Sequence, residues 1–227
     1  VIGIPEVDQS FWKWFALDVV LMCTAQIWYM RALSLSPLSQ TQSILALTPL
    51  FLIITDPFFT GETISGQGMV GVSMISLGVY FSQHPGGSIQ KGFLSWLIAP
   101  FVEMYKQPGV RVKFGVAIIY TITSSLDKLC VQASSPPFYI AMETLALTLV
   151  FGTTLLWYKF INKKEIVPLK REQTKQLLSS GALCMSTILF QFFALTLIST
   201  PYVIAVKRFS ILLTSSWSFF VRKDNAF

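Results

Sequence analysis

The chain has 227 residues, of which 53% are hydrophobic and only 12% charged, about half the ~25% charged share of an ordinary soluble domain. So few charges cannot cover a water-facing surface of this size, which excludes a soluble globular domain and leaves hydrocarbon as the solvent. The net charge of +6 is modest and gathers between apolar runs, which reports membrane orientation and not nucleic-acid binding.

A spanning helix needs about 20 apolar residues, each rising about 1.5 Å, to cross roughly 30 Å of hydrocarbon. Four uncharged stretches pass that length test: Ala32–Thr55, Thr63–Gln90 with His84 neutral, Thr144–Tyr158 with its apolar lead-in from Pro136, and Gln176–Val206. The last is long enough for one span and the start of another, with Pro201 at the entry where a first-turn proline belongs. Phe15–Leu35 holds Asp18 and Arg31, and Phe114–Ala133 holds Asp127 and Lys128. Those two runs must snorkel, pair their charges or line a polar interior. All of these runs are continuously apolar, without the alternation of a β-barrel strand. The expected fold is therefore all-α, a polytopic bundle of membrane helices.

In chain order the spans fall near 14–35, 38–58, 64–82, 114–133, 137–159, 176–198 and 201–221. Ser36-Pro37 and Ser199-Thr200-Pro201 are links short enough to force antiparallel neighbours. Between the third and fourth spans, His84-Pro85-Gly86-Gly87 opens a long loop. Its apolar stretch Gly92–Val102 is too short to cross and fits an interfacial helix with Trp96 at headgroup depth. The 83–113 loop also supplies Lys91, Lys106, Arg111 and Lys113. The loop from Lys159 to Lys175 is the most charged segment, and by the positive-inside rule these basic loops face the cytoplasm. Val1 in place of a methionine, with no charged segment ahead of a short apolar one, suggests a chain that starts inside a longer protein. Cys23, Cys130 and Cys184 have neither C-x-x-C spacing nor a disulfide framework and read as small apolar packers.

Two hairpins repeat one pattern. Ala32-Leu33-Ser34-Leu35-Ser36-Pro37 leads into a helix with Ser43-Ile44-Leu45, and Ala194-Leu195-Thr196-Leu197-Ile198-Ser199-Thr200-Pro201 leads into one with Ser210-Ile211-Leu212. They begin five spans apart, an odd separation that inverts the second copy across the membrane, as in transporters with a site between inverted repeats.

Ala32-Leu33, Pro37, Ser43, Pro49 and Gly61-Glu62, followed by Gly66, Gly68, Gly71 and Gly78-Val79, resemble the closing helices of an EamA-type domain of the drug/metabolite transporter superfamily. Ala194-Leu195, Pro201 and Val206-Lys207-Arg208 with Ser210 resemble the matching helices of a second domain. The resemblance implies ten helices in two inverted repeats of five, of which this chain holds the third to the ninth. Residues 1–82 would then close the first repeat, 83–111 would connect, and 112–227 would be the second repeat without its last helix. Two departures accompany the likeness. The second repeat has Lys223-Asp224 where the family carries Gly-Glu, and the family's usual cytoplasmic N-terminus would place the 159–175 loop outside, against the charge count.

Charges inside spans cost about 2.5–3.5 kcal/mol each at the centre, so each needs a reason. Lys207 and Arg208, two turns into the seventh span, either contact an anionic or zwitterionic solute or pair with Glu143 or Asp127. Glu143 is either a proton or cation site or a structural partner. Asp127-Lys128 reads as an interfacial pair, and Arg31 as a snorkelling cation or a substrate contact. Gln26, Gln42, Tyr120 and Gln191 could line a pathway or bond between helices. Pro49, taken as mid-span, would kink its helix, and Gly66, Gly68, Gly71 and Gly78 would allow close helix packing. No catalytic residues, metal site or cofactor fingerprint is expected: there is one histidine, no nucleophile elbow and no P-loop. The expected function is a secondary active transporter, permease or exporter, of small organic solutes. It would work by alternating access in a plasma or inner membrane, with lipid around it and proton or ion coupling. A membrane receptor or assembly subunit, or a membrane enzyme, is the alternative.

Overall fold

A computed structural model of the chain describes residues 7–36, 44–82, 108–162 and 170–217. Seven long helices stand among them: α1 (Gln9–Leu35), α2 (Thr48–Phe59), α3 (Gly66–Ser82), α4 (Pro108–Gln132), α5 (Pro136–Asn162), α6 (Arg171–Leu197) and α7 (Thr200–Trp217). Each coincides with a predicted span. Of these, α1, α4, α5 and α6 are long and apolar enough to cross a membrane. Leu145, Leu149, Leu155 and Leu156 of α5 and Leu178, Leu183 and Phe190 of α6 are exposed. Such apolar faces are stable against lipid and not against water.

Local chemistry sets the helix starts. Asp8 precedes α1, its carbonyl accepting from the Phe11 N–H. The Ser10 hydroxyl donates to its carboxylate at 2.6 Å, which holds that carboxyl below the usual range. Pro108, Pro136 and Pro201 lie in the first turns of α4, α5 and α7, where a missing N–H costs nothing.

The structure corrects four expectations. Residues 44–45 are helical, a turn follows at 46–47, and α2 proper starts at Thr48. Pro49 is thus a first-turn proline and not a mid-span kink, because its ring excludes the carbonyl four residues back and a helix is easiest to begin there. Secondly, α4 begins at Pro108, so Lys113 belongs to the helix and not to the preceding loop. Thirdly, the charged 159–175 segment is partly helical, since α5 runs through Lys159 to Asn162 and α6 opens at Arg171. Fourthly, of the four α3 glycines only Gly68 is closely approached: a Cβ there would strike the Tyr202 hydroxyl, whereas Gly66, Gly71 and Gly78 have open space. The predicted interfacial helix with Trp96, His84 and the 38–43 entry to the second span lie outside the described residues.

The chain divides into two compact units, residues 1–23 with 127–197, and residues 24–126 with 198–227. In the first, α5 packs on α6, and Phe11, Phe15, Tyr139 and Phe192 form a ring cluster with centroids 5.0–6.5 Å apart. In the second, α3 and α2 pack on α7. One small core there joins Ile64, Val72 and Ala205, and another joins Ala46, Val79 and Tyr80. A third core brings Ala25 against Val110, Val116 and Ala117. Gly61, at φ 72°, closes α2 by donating to the Pro57 carbonyl at 3.2 Å. A left-handed residue past a helix end favours glycine there.

Candidate functional site

Each unit buries ionisable side chains: an acidic group stands out in the first and a cationic one in the second, beside a buried Lys128 in the first and a buried Asp56 in the second. In the first unit Asp18 of α1, Asp127 of α4 and Glu143 of α5 are all buried. Their carboxylate oxygens lie within 4.8 Å of one another, close enough among the described residues to hold a cation. Tyr139 stands one helical turn before Glu143, on the same face of α5. It is fully buried, and its hydroxyl is 2.9 Å from Asp18 Oδ2 and 2.6 Å from Asp127 Oδ1. A phenol has one proton to give. It serves one carboxylate, and the other contact becomes a hydrogen bond only when a carboxyl supplies the proton itself. Asp18 Oδ1 is buried without any hydrogen-bond partner. Three negative charges in so small and dry a space repel one another strongly, so the arrangement favours taking up positive charge.

The second unit holds the cationic group. Lys113 of α4 is 0% exposed, its Nζ has no hydrogen-bond partner, and it sits 3.1 Å over the ring of Tyr29. Arg208 of α7 is half-buried, with Nε buried and unpartnered. It is close enough to act electrostatically on Lys113, Tyr29 and Tyr120. Tyr120 lies two turns after Lys113 on the same face of α4. Elsewhere in this unit the Ser125 hydroxyl donates to Asp56 Oδ1 at 2.9 Å, both side chains being buried.

The residues expected from sequence are therefore divided. Glu143 joins the acidic group, and Arg208 and Tyr120 join the cationic one. Gln26 and Gln191 are half-buried, in the second and first units respectively, and Gln191 has interactions of its own. Lys207 and Arg31 are exposed, and Gln42 lies outside the described residues. Asp127 and Lys128 are both buried where an interfacial pair was expected. Of the cysteines, Cys130 is buried, Cys23 half-buried and Cys184 exposed, so only the first packs as expected. Sequence reading passed over Lys113, Tyr29 and Tyr139 as site residues. The available signal for Tyr139 was its spacing of four from Glu143, and for Lys113 its spacing of seven from Tyr120.

Residues 2–83 match the model of the EamA-like transporter family. That stretch is similar to the EamA-like transporter family. With four helices long and apolar enough to cross a membrane, the chain is an integral, multi-pass membrane protein. The match ends at residue 83, so both buried charge groups depend on helices beyond the EamA-matched segment. No curated protein matches the chain.

Proposed function

We propose that this protein is a secondary carrier of the EamA type that moves small organic solutes by alternating access, with a proton taken up by the acidic group of Asp18, Asp127 and Glu143. The observation that supports this reading is the pairing of one buried phenol with two carboxyls, Tyr139 with Asp18 and Asp127, which is fully hydrogen-bonded only when a carboxyl is protonated. Ionisable groups inside membrane helices are expensive, at about 2.5–3.5 kcal/mol each, and typically mark solute or proton pathways. A stability role alone would be better served by apolar residues of the same volume. The protonated group also has the means to lose its proton, because deprotonation returns charge to carboxyls that already crowd one another.

The test uses the full chain in proteoliposomes with a labelled solute. An acid-outside gradient should drive net accumulation in the wild type. Asp127→Asn and Glu143→Gln should retain solute exchange at equal concentrations on both sides and lose gradient-driven accumulation. Arg31→Ala, at an exposed position, should keep both. Accumulation driven by sodium and indifferent to pH would reassign the acidic group to a metal cation. Insensitivity of net uptake to both gradients would leave a uniporter and remove the coupling role.

A further inference from the structure

The cationic group of the second unit is a poor structural device. Lys113 is fully buried, and its Nζ lies over the face of Tyr29 without a hydrogen-bond partner. A cation over a phenol ring is only weakly stabilised, and a charge within a membrane helix is expensive. Arg208 makes the balance worse, since its charge repels that of Lys113. Neither cation has a carboxylate partner among the described residues. Two like charges that act on one another, one fully buried and one half-buried, would be stabilised by an anion between them.

We propose, on the carrier reading above, that Lys113 and Arg208, with the phenols of Tyr29 and Tyr120, bind the oxyanion group of the transported solute, a carboxylate or a phosphate ester. The guanidinium fork matches two oxygens of such a group at once, and the ammonium adds a compact charge. The phenol hydroxyls can donate to the remaining oxygens. A lipid headgroup offers the same chemistry, but the position disfavours it. In the apolar window of α4, 61% of residues are buried within the protein, against 17% or less in α1, α5 and α6. Of these four helices, the one bearing Lys113 is thus the most enclosed by protein. The solute class follows: small organic anions, with neutral and cationic solutes excluded by two uncompensated positive charges.

The experiment is counterflow by the full chain in proteoliposomes of neutral lipid, with labelled benzoate, succinate and phenyl phosphate as oxyanion probes. Choline and adenosine are the cationic and neutral probes. The purified protein is also melted in detergent with each probe at matched ionic strength. Wild type should exchange at least one oxyanion and be stabilised by it. Lys113→Met and Arg208→Gln should lose about tenfold or more of that exchange, as removal of one member of a buried charged contact does. Lys113→Arg should retain most of it, which keeps the test decisive if Lys113→Met fails to fold. Lys175→Met, at an exposed position on α6, should change nothing. Exchange of choline or adenosine alone, undiminished by Lys113→Met, would overturn the oxyanion site and leave the carrier standing. Oxyanion stabilisation lost in Lys113→Met, with no exchange of any probe, would keep the site and remove the carrier. Stabilisation by phosphatidylglycerol vesicles, with no response to any soluble anion, would assign the cations to a lipid headgroup and overturn the solute proposal.

Discussion

At the scale of single residues, what organises this protein is the expense of charge in an apolar interior and the means by which it is met. Asp18 and Asp127 meet it through the Tyr139 hydroxyl, and Lys113 through the Tyr29 ring. Tyr139→Phe should therefore lower stability by about 1–3 kcal/mol, because it strands buried acceptors. Thermal unfolding in detergent measures this, and a melting temperature equal to wild type would show that the phenol does not bridge the carboxyls. Asp18→Asn removes one of three repelling charges and should melt no lower than Tyr139→Phe does. Sequence reading reached Glu143, Arg208 and Tyr120, because a charge or phenol inside a 20-residue apolar run stands out. It missed Lys113 because that residue lies beside Arg111 at the edge of a basic loop, and the helix start at Pro108 was placed six residues late. It missed Tyr139 because a tyrosine near a proline-rich entry reads as an interfacial anchor unless the acids above it are known to converge.

At the scale of helices, apolar length, with a few charges tolerated inside the first and fourth spans, was sufficient to locate the seven helices among the described residues, since few other arrangements satisfy a backbone in lipid. Prolines and glycines were harder to interpret, because their roles depend on which end of a helix they occupy and on what lies opposite. Pro49 looks mid-span when a helix is drawn from 38 to 58, and becomes a first-turn residue once the turn at 46–47 is known. Gly68 and Gly71 share a helix and a motif, yet only Gly68 meets the Tyr202 side chain. Gly68→Leu should cost about 1–3 kcal/mol by overpacking α3 against α7, whereas Gly71→Leu should change stability by no more than about 0.5 kcal/mol. Comparing the two melting temperatures checks this contact, and equal losses would contradict it.

At the scale of the whole molecule, composition sufficed for the class of protein and the order of motifs for the likeness of residues 2–83 to the EamA-like transporter family, because both are properties summed along the chain. The grouping of buried charge was not legible in this way. It depends on which helix faces converge, and residues 109 positions apart, such as Asp18 and Asp127, carry no mutual signal in one sequence. The group of Asp18, Asp127 and Glu143 lies within one unit (residues 1–23 with 127–197) and Lys113 with Arg208 within the other (24–126 with 198–227), so the proposed proton and anion roles fall to different residues. The inverted-repeat assignment of residues 1–82 and 112–227 remains our proposal for how such a molecule alternates. Cysteine labelling within the 159–175 segment of intact cells tests its topology. Protection from an external reagent is the outcome that the basic residues predict, and labelling would favour the family's usual orientation.

The central claim is that this chain carries solute, and counterflow by the full chain in proteoliposomes tests it most directly. Vesicles preloaded with unlabelled succinate or phenyl phosphate should take up the labelled compound faster than empty ones, with saturation, and Lys113→Met should abolish the difference. Equal uptake by preloaded and empty vesicles across organic anions, amino acids, nucleosides and cationic compounds, with the protein shown to be folded, would contradict the account.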